Sequence, residues 1–428
     1  MTGTAGNYRV STTSKFVARV ASLFCLVYLM AWIDKANIGY AKLQMRGDLH
    51  LGEAAFGFGA SMFFIGYILI DIPVAVILPR LKPAHVLSIM VVGFGLVTML
   101  LGTARTANSF YLLRFILGLF EGGIAPAIFF NLANWVPYAD RARVSGLILA
   151  IAFAANVVGG VICGALLDLD GLFGLRGWQW LFLLTGLPSP VLGFFVLKLL
   201  PNSPQDAGFY TQAEKRELTL RLKLEQNAME SDERFSQVFQ DPRVWLVMAL
   251  PMAAGGGLYG LSYWLPTVIQ QFEVSNTVNG LLSSFPWALG IAAMLWLPSR
   301  VDRSANSTAW IILTVLTGAC AFALLAMNGD NVVRYILICI GSIGLLGLQP
   351  LITVLPTRFL KGRALAYVLP AGAITTNLAG FFSQNAIANL GAAFGPTAGL
   401  LYIAGVTAVY AVLAAWLDRW STVPAAAM

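Results

Sequence analysis

Apolar runs of about 20 residues recur along the chain from residue 16 to residue 417, and short polar stretches between them hold most of the charge. Each run is long enough to cross the ~30 Å hydrocarbon core of a bilayer as a helix. The runs do not alternate apolar with polar positions, so they predict helices and not the strands of a barrel. A helix also satisfies its own backbone hydrogen bonds where no water is present. The pattern places six spans near 16–38, 54–78, 84–104, 108–132, 142–167 and 178–200. Six more fall near 244–271, 279–299, 308–327, 331–355, 364–389 and 396–417. Residues 201–243 stand apart. They open on Pro201-Asn202-Ser203-Pro204, contain the run Glu214-Lys215-Arg216-Glu217, and read as a solvated linker, partly an amphipathic helix with a wet charged face. The expected organisation is an amino-terminal six-helix bundle over 1–200, a linker over 201–243 and a carboxy-terminal six-helix bundle over 244–428.

Composition agrees with an all-α polytopic membrane protein. Of the 428 residues 58% are hydrophobic and only 11% charged, against about 25% charged in soluble domains. Mean hydropathy is +0.75. The first run lacks a small-residue cleavage site and is expected to be retained as a helix. Cys25, Cys163, Cys320 and Cys339 all lie in apolar runs. They predict small core residues, with no disulfide framework, metal site or cofactor.

The net charge of +7 suggests nucleic acid until the positions are considered. Of the 27 basic residues, 20 flank one set of span ends, from Arg9, Lys15 and Arg19 through Arg80, Lys82, Arg141 and Arg143 to Arg358, Lys361 and Arg363. Such a bias marks the cytoplasmic side. Both termini and the linker are therefore expected in the cytoplasm, and no nucleic-acid partner is expected.

The halves repeat. Arg80 and Arg300 close second spans, Arg143 and Arg363 open fifth spans, and Arg114-Phe115-Ile116-Leu117 matches Arg334-Tyr335-Ile336-Leu337, each pair 220 residues apart. Two tandem halves of the same polarity predict a rocking transporter with its substrate site between them near the midplane.

Chemistry enters with four ionisable residues inside spans. Asp34 and Lys35 lie in the first and Arg114 and Glu121 in the fourth. A charge at membrane depth is costly unless paired or wet, which marks these as functional candidates. By helix rise alone Asp34 lies about 22 Å from the cytoplasmic boundary and Arg114 about 9 Å from the opposite one, so an Asp34–Arg114 pair is geometrically allowed. Glu121, seven residues beyond Arg114, falls on nearly the same helix face, about 10 Å deeper. A purely structural network is the competing reading, above all for Arg114. Tyr67, Asn156, Tyr259, Tyr263, Gln349 and Asn377 are further mid-span polar groups, suited either to lining a cavity or to helix–helix hydrogen bonds. Gly118 and Gly122, Gly160 and Gly164, and Gly256 and Gly260 permit close helix approach. Pro126, Pro188, Pro286 and Pro370 predict bends. The two histidines, His50 and His85, are expected in loops, which argues against a histidine relay.

Several segments resemble the major facilitator superfamily, and within it the anion:cation symporter family. Trp32-Ile33-Asp34-Lys35-Ala36-Asn37-Ile38-Gly39 resembles that family's aromatic-x-Asp-Arg-x-Asn-x-Gly. Arg114-Phe115 through Gly118 with Glu121-Gly122-Gly123 and Pro126 resembles its Arg-Phe-x-x-Gly-x-x-Glu. Gly66-Tyr67 with Asp71-Ile72-Pro73, Trp178-Gln179-Trp180-Leu181-Phe182 and Tyr263-Trp264-Leu265-Pro266 add support in order. The resemblance implies a proton symporter of small organic anions (carboxylates, sugar acids or aromatic acids) in the inner membrane. It implies that Lys35 contacts substrate and that Asp34 and Glu121 couple protons. Tyr67 and Asn377 match positions resembling substrate contacts, and Tyr263 and Arg114 complete the candidate substrate set. Lys35 departs from the family's Arg, and a lysine is a point charge that cannot clamp a carboxylate with two parallel bonds.

Expected partners are therefore the anion, protons and the lipid bilayer, with the chain a monomer. An uncoupled facilitator of a neutral solute, or a non-transporting membrane sensor, is the rival reading. No Ser/His/Asp group, metal-spaced cluster or Gly-rich phosphate loop predicts an enzyme.

Overall fold

A computed structural model of the chain describes residues 11–228, 240, 242–304, 306–327, 329–350, 352, 362–395 and 397–422. Arg9, Arg234, Arg358 and Lys361, counted above toward orientation, lie outside the described residues. Ten helical segments are long and apolar enough to cross a bilayer, and Asn331–Leu346 is a shorter apolar helix. Gly362–Phe394 adds a helix of 33 residues. With these, a helix lies at each of the twelve expected span positions, the tenth over Asn331–Leu346, with residues 351 and 353–355 of that expected span outside the described residues, and no strand occurs among the described residues.

The first six spans are α1 (Ser22–Asp48), α2 (Glu53–Ile77), α3 (Pro83–Leu101), α4 and α5 (Ala107–Glu121 and Ile124–Trp135), α6 (Tyr138–Leu167), and α7 and α8 (Gly177–Gly186 and Pro188–Leu199). The linker helix is α9 (Gln212–Ala228). The last six are α10 (Pro242–Gln270), α11 (Asn276–Arg303), α12 (Ser307–Met327), α13 (Asn331–Leu346), α14 (Gly362–Phe394) and α15 (Ala398–Thr422).

Local chemistry sets the boundaries. Thr106 caps α4 by accepting from the Ser109 amide, and Asp330 caps α13 by accepting from the Val333 amide, so the repeated Arg-aromatic-Ile-Leu segments open from the same kind of start. The fourth span is broken at Gly122-Gly123 and the sixth at Leu187, just before Pro126 and Pro188. Proline lacks the amide and its ring crowds the carbonyl four residues back, which ends the preceding helical turn. Glu121 is thereby the last residue of α4. Pro83 opens α3, which takes His85 into its first turn and out of the expected loop.

Two further expectations change. The first span does not stop near residue 38. α1 runs on to Asp48, because Tyr40, Ala41, Lys42 and Met45 are buried and Glu53 neutralises Lys42 and Arg46. The linker is not merely a wet face. Glu214 is buried and accepts from Ser11 at 2.6 Å and Lys15 at 2.8 Å, while Phe209 and Tyr210 pack on Trp135. Burial opposes the Glu214 charge, but these donors and Thr211 outweigh it and hold the carboxyl down at about 2. The Glu225 carboxylate also accepts from the Tyr138 amide, so α9 rides with the first six spans.

The two halves meet at one end. Where α1, α6 and α10 finish, Asn385 donates to Ser61 at 2.7 Å, Ser284 to the Val157 carbonyl at 2.7 Å, and Ser262 to Asn156 at 3.2 Å. Asp168 accepts from the Thr277 amide at 3.0 Å and from Asn276 at 2.9 Å. Gly160 and Gly164 of α6 cross Gly280 of α11 so closely that a Cβ at any of them would meet the facing backbone. At the opposite end, Val244, Val247, Leu297, Val301 and Leu417 belong to a buried cluster of the last six spans alone. The larger cluster joins both halves at the shared end. The halves pack together where α1 ends, and at the end of Arg80 and Arg303 the last six spans keep a buried cluster of their own.

Candidate functional site

The site follows from the face that α1 turns toward the other half. Trp32, Lys35, Gly39, Lys42 and Arg46 recur at spacings of three and four and so form one stripe. Lys35 donates to Glu121, and the two form a close ion pair between α1 and α4. The ammonium also lies over three rings, 5.3 Å from Trp32, 5.5 Å from Phe63 and 5.1 Å from Tyr67. Ring faces stabilise a cation that has left water. The Lys35 side chain keeps 10% exposure and Glu121 none, so a ligand would reach the lysine first. The second Glu121 oxygen, Oε2, has no hydrogen-bond partner.

The last six spans complete the surround. Tyr259 of α10 lies parallel to Trp32 with centroids 6.2 Å apart, and Phe64 of α2 meets its ring edge-on at 4.8 Å. The Tyr259 hydroxyl donates to Asn377 Oδ1 at 3.3 Å. Trp32, Lys35, Tyr67 and Glu121 from one half thus face Tyr259 and Asn377 from the other, with Tyr28 beside Trp32 at 6.2 Å.

Asp34 points elsewhere. Successive residues of a helix lie about 100° apart, so while Lys35 faces α4, Asp34 faces α3 and α7. It accepts from Thr98 at 2.6 Å and from Asn37 at 3.1 Å, and Asn37 in turn lies 3.4 Å from Thr185. Its Oδ2 has no hydrogen-bond partner. The Asp34–Arg114 ion pair allowed by depth is not formed, because equal depth does not give equal azimuth. Arg114 donates instead to the Ala60 carbonyl at 3.1 Å and lies 4.9 Å from the Phe63 ring. Tyr263, one turn beyond Tyr259, sits with Lys42 at 5.0 Å and not with Lys35. Of the seven candidates, Lys35, Tyr67, Glu121 and Asn377 come together, and Asp34, Arg114 and Tyr263 occupy neighbouring layers.

Trp32, Phe63, Phe64 and Lys42 were not singled out from the sequence as site residues. The signal for Lys42 was present in its seven-residue spacing from Lys35. The phenylalanines carry none, since apolar rings in a membrane span are ordinary.

The geometry agrees with what the chain resembles. The family described as Major Facilitator Superfamily matches residues 24–384. A Pseudomonas putida protein named "Putative metabolite transport protein NicT" is 33% identical over 376 residues, covering 87% of this chain and 86% of that protein. An Agrobacterium vitis protein named "Putative tartrate transporter" is 32% identical over 421 residues, covering 95% and 91%. The crystal structure of a D-xylose-proton symporter superposes with a TM-score of 0.75 at 14% identity, covering 96% of this chain and 98% of that one. It shares the fold of twelve transmembrane helices in two six-helix repeats. The chain is a multi-pass membrane transporter of a small molecule, not an enzyme, and belongs to the Major Facilitator Superfamily.

Proposed function

We propose that the protein imports a small organic carboxylate together with protons, by alternating access across an inner membrane, with its termini in the cytoplasm. The observation that carries this reading is the Lys35–Glu121 pair at the meeting of the halves. An arriving carboxylate competes with Glu121 for the lysine. Glu121, fully buried, would then be an ionised group without a partner, and stranding one partner of a buried pair costs about 3–5 kcal/mol. Taking up a proton removes that cost, so anion binding and protonation favour each other. Asp34 is held by the neutral donors Thr98 and Asn37, with one oxygen unpartnered among the described residues, and acts as the second proton carrier. The Trp32, Tyr67 and Tyr259 rings form the walls, and Asn377 positions the Tyr259 hydroxyl; Arg114 and Tyr263 support the layer above.

Coupling also answers the membrane potential. Importing one negative charge against 100 mV costs about 2.3 kcal/mol, and one proton per monovalent anion cancels it. The names of the two relatives, one for a metabolite and one for tartrate, agree with a small acid as cargo. Proteoliposomes supplied with labelled tartrate or benzoate under an imposed pH gradient test the reading. Wild type should concentrate one of them, and Glu121→Gln should lose gradient-driven accumulation while retaining exchange. Full accumulation by Glu121→Gln removes the coupling role.

A further inference from the structure

The Lys35 stripe continues. Lys42, two turns on and about 10 Å nearer the closed end, repeats the arrangement with a second carboxylate from a neighbouring helix. Its ammonium lies 2.8 Å from Glu53 Oε2, and Arg46 takes Glu53 Oε1 at 2.5 Å. The Lys42 side chain is 2% exposed, and it shares Glu53 with Arg46. What covers it belongs to the other half. The Trp264 ring of α10 lies 3.7 Å from the nitrogen and the Tyr263 ring 5.0 Å. Between the two lysines, Gly39 is crossed by the α10 backbone. A Cβ there would sit 2.9 Å from the Ser262 carbonyl oxygen and 3.0 Å from that of Tyr263.

Opening this end withdraws α10, and with it both rings and the crossing at Gly39. Lys42, Arg46 and Glu53 all stay with the first six spans. The cluster then holds two cations and one carboxylate, a local net charge of +1, with Glu53 shared between Lys42 and Arg46. A charged cleft in low-dielectric walls concentrates ions of opposite sign.

We propose that Lys42 is an entry subsite for the carboxylate, exposed when the Tyr263–Trp264 lid lifts and handing the anion to Lys35 two turns deeper. The closed state, with the rings over Lys42 and the backbone across Gly39, leaves the subsite no room for ligand. This inference rests on the carboxylate-import reading above.

The test is initial-rate uptake of labelled tartrate and benzoate by right-side-out proteoliposomes, using whichever the wild type carries. Lys42→Gln should raise KM about tenfold with maximal rate held within about twofold. Lys42→Arg, which keeps the charge, should restore KM. A residue that merely braces the gate would lower the maximal rate and leave KM alone, and that result, or no change at all, overturns the proposal. Should Lys42→Gln fail to reach the membrane, Glu53→Gln gives the opposite readout. It raises the mouth's net charge and should lower KM, and an unchanged or raised KM overturns the proposal. A wild type that moves neither anion defeats the import reading itself, a result distinct from normal transport by an indifferent Lys42 variant.

Discussion

At Lys35 a cation is held out of water by one carboxylate and three aromatic faces. A lysine suits a site that must exchange partners, because its ammonium is a point charge and not a fork committed to one planar geometry. Lys35→Gln should therefore abolish the rise in melting temperature that a bound carboxylate gives wild type, a change read by thermal shift on purified protein. Asp34 makes a separable prediction. An asparagine there still accepts from Thr98 and Asn37, so Asp34→Asn should reach the membrane in normal amount yet lose gradient-driven accumulation. Asp34→Ala strips both bonds and should lower the melting temperature as well. If Asp34→Asn accumulates substrate like wild type, Asp34 is a brace between α1, α3 and α7 and carries no proton. At this scale the charged residues were legible because an ionisable group in an apolar run is conspicuous. Their pairing was not. The partner of Lys35 depends on the azimuth of α1 against α4, which span boundaries drawn ten residues short at the far end do not give. The aromatic walls were illegible for a different reason, since a ring that lines a site and a ring that faces lipid look alike in sequence.

The elements that move against one another meet through glycine. Gly160 and Gly164 of α6 face Gly280 of α11, and side chains there would drive the two helices apart. Gly280→Leu should cut initial uptake by about tenfold or more at normal membrane abundance, because it denies the molecule its closed end. Gly146→Ala on the same α6, where a Cβ meets nothing within 4 Å, is the control and should transport normally. The spacing of Gly160 and Gly164 was visible in the sequence, and close approach was the expected use. That the partner lies across the halves was not, because small residues permit contact without naming its other side. The linker shows the reverse case. Its charges looked solvated, but Glu214 reaches back about 200 residues to Lys15 and Ser11, a contact no local pattern can announce. The Glu214 carboxyl lies below its usual 4.5, at about 2. Its stabilising pair is thus complete above the usual value and is lost as pH falls toward 2. Near neutral pH, Glu214→Ala should speed tryptic cleavage after Lys215 and Arg216 by about fivefold, while the same substitution at exposed Glu217 should change it little.

The whole molecule is two six-span bodies closed at one mouth, and transport requires that mouth to open. Twelve spans and their repeat were legible from periodicity and spacing, because lipid allows so few ways to satisfy a backbone. The choice of closed mouth was not, since one sequence must support both states. The contacts that open are neutral hydrogen bonds, such as Asn385–Ser61 and Ser284–Val157, together with the ring pair Trp32–Tyr259. Each is worth about 0.5–1.5 kcal/mol net, so the closed state is held without being locked. Besides Lys42 under its two rings, ionised Asp168 lies among them. Burial opposes the charge of Asp168, but hydrogen bonds from Thr277 and Asn276 outweigh it and hold the carboxyl below its usual 3.8. Asp168 thus favours closure fully above that value, and loses its effect only as pH falls through the still lower value of the closed state. Between about pH 5 and pH 8 its contribution is constant, so it is not the coupling group of the proposed proton symport. Asp168→Asn should accordingly leave the slope of initial uptake against external pH unchanged across that range, whatever it does to the absolute rate, whereas Glu121→Gln should flatten the slope. A profile flattened by Asp168→Asn and preserved in Glu121→Gln would move the driving proton from the centre of the membrane to the mouth.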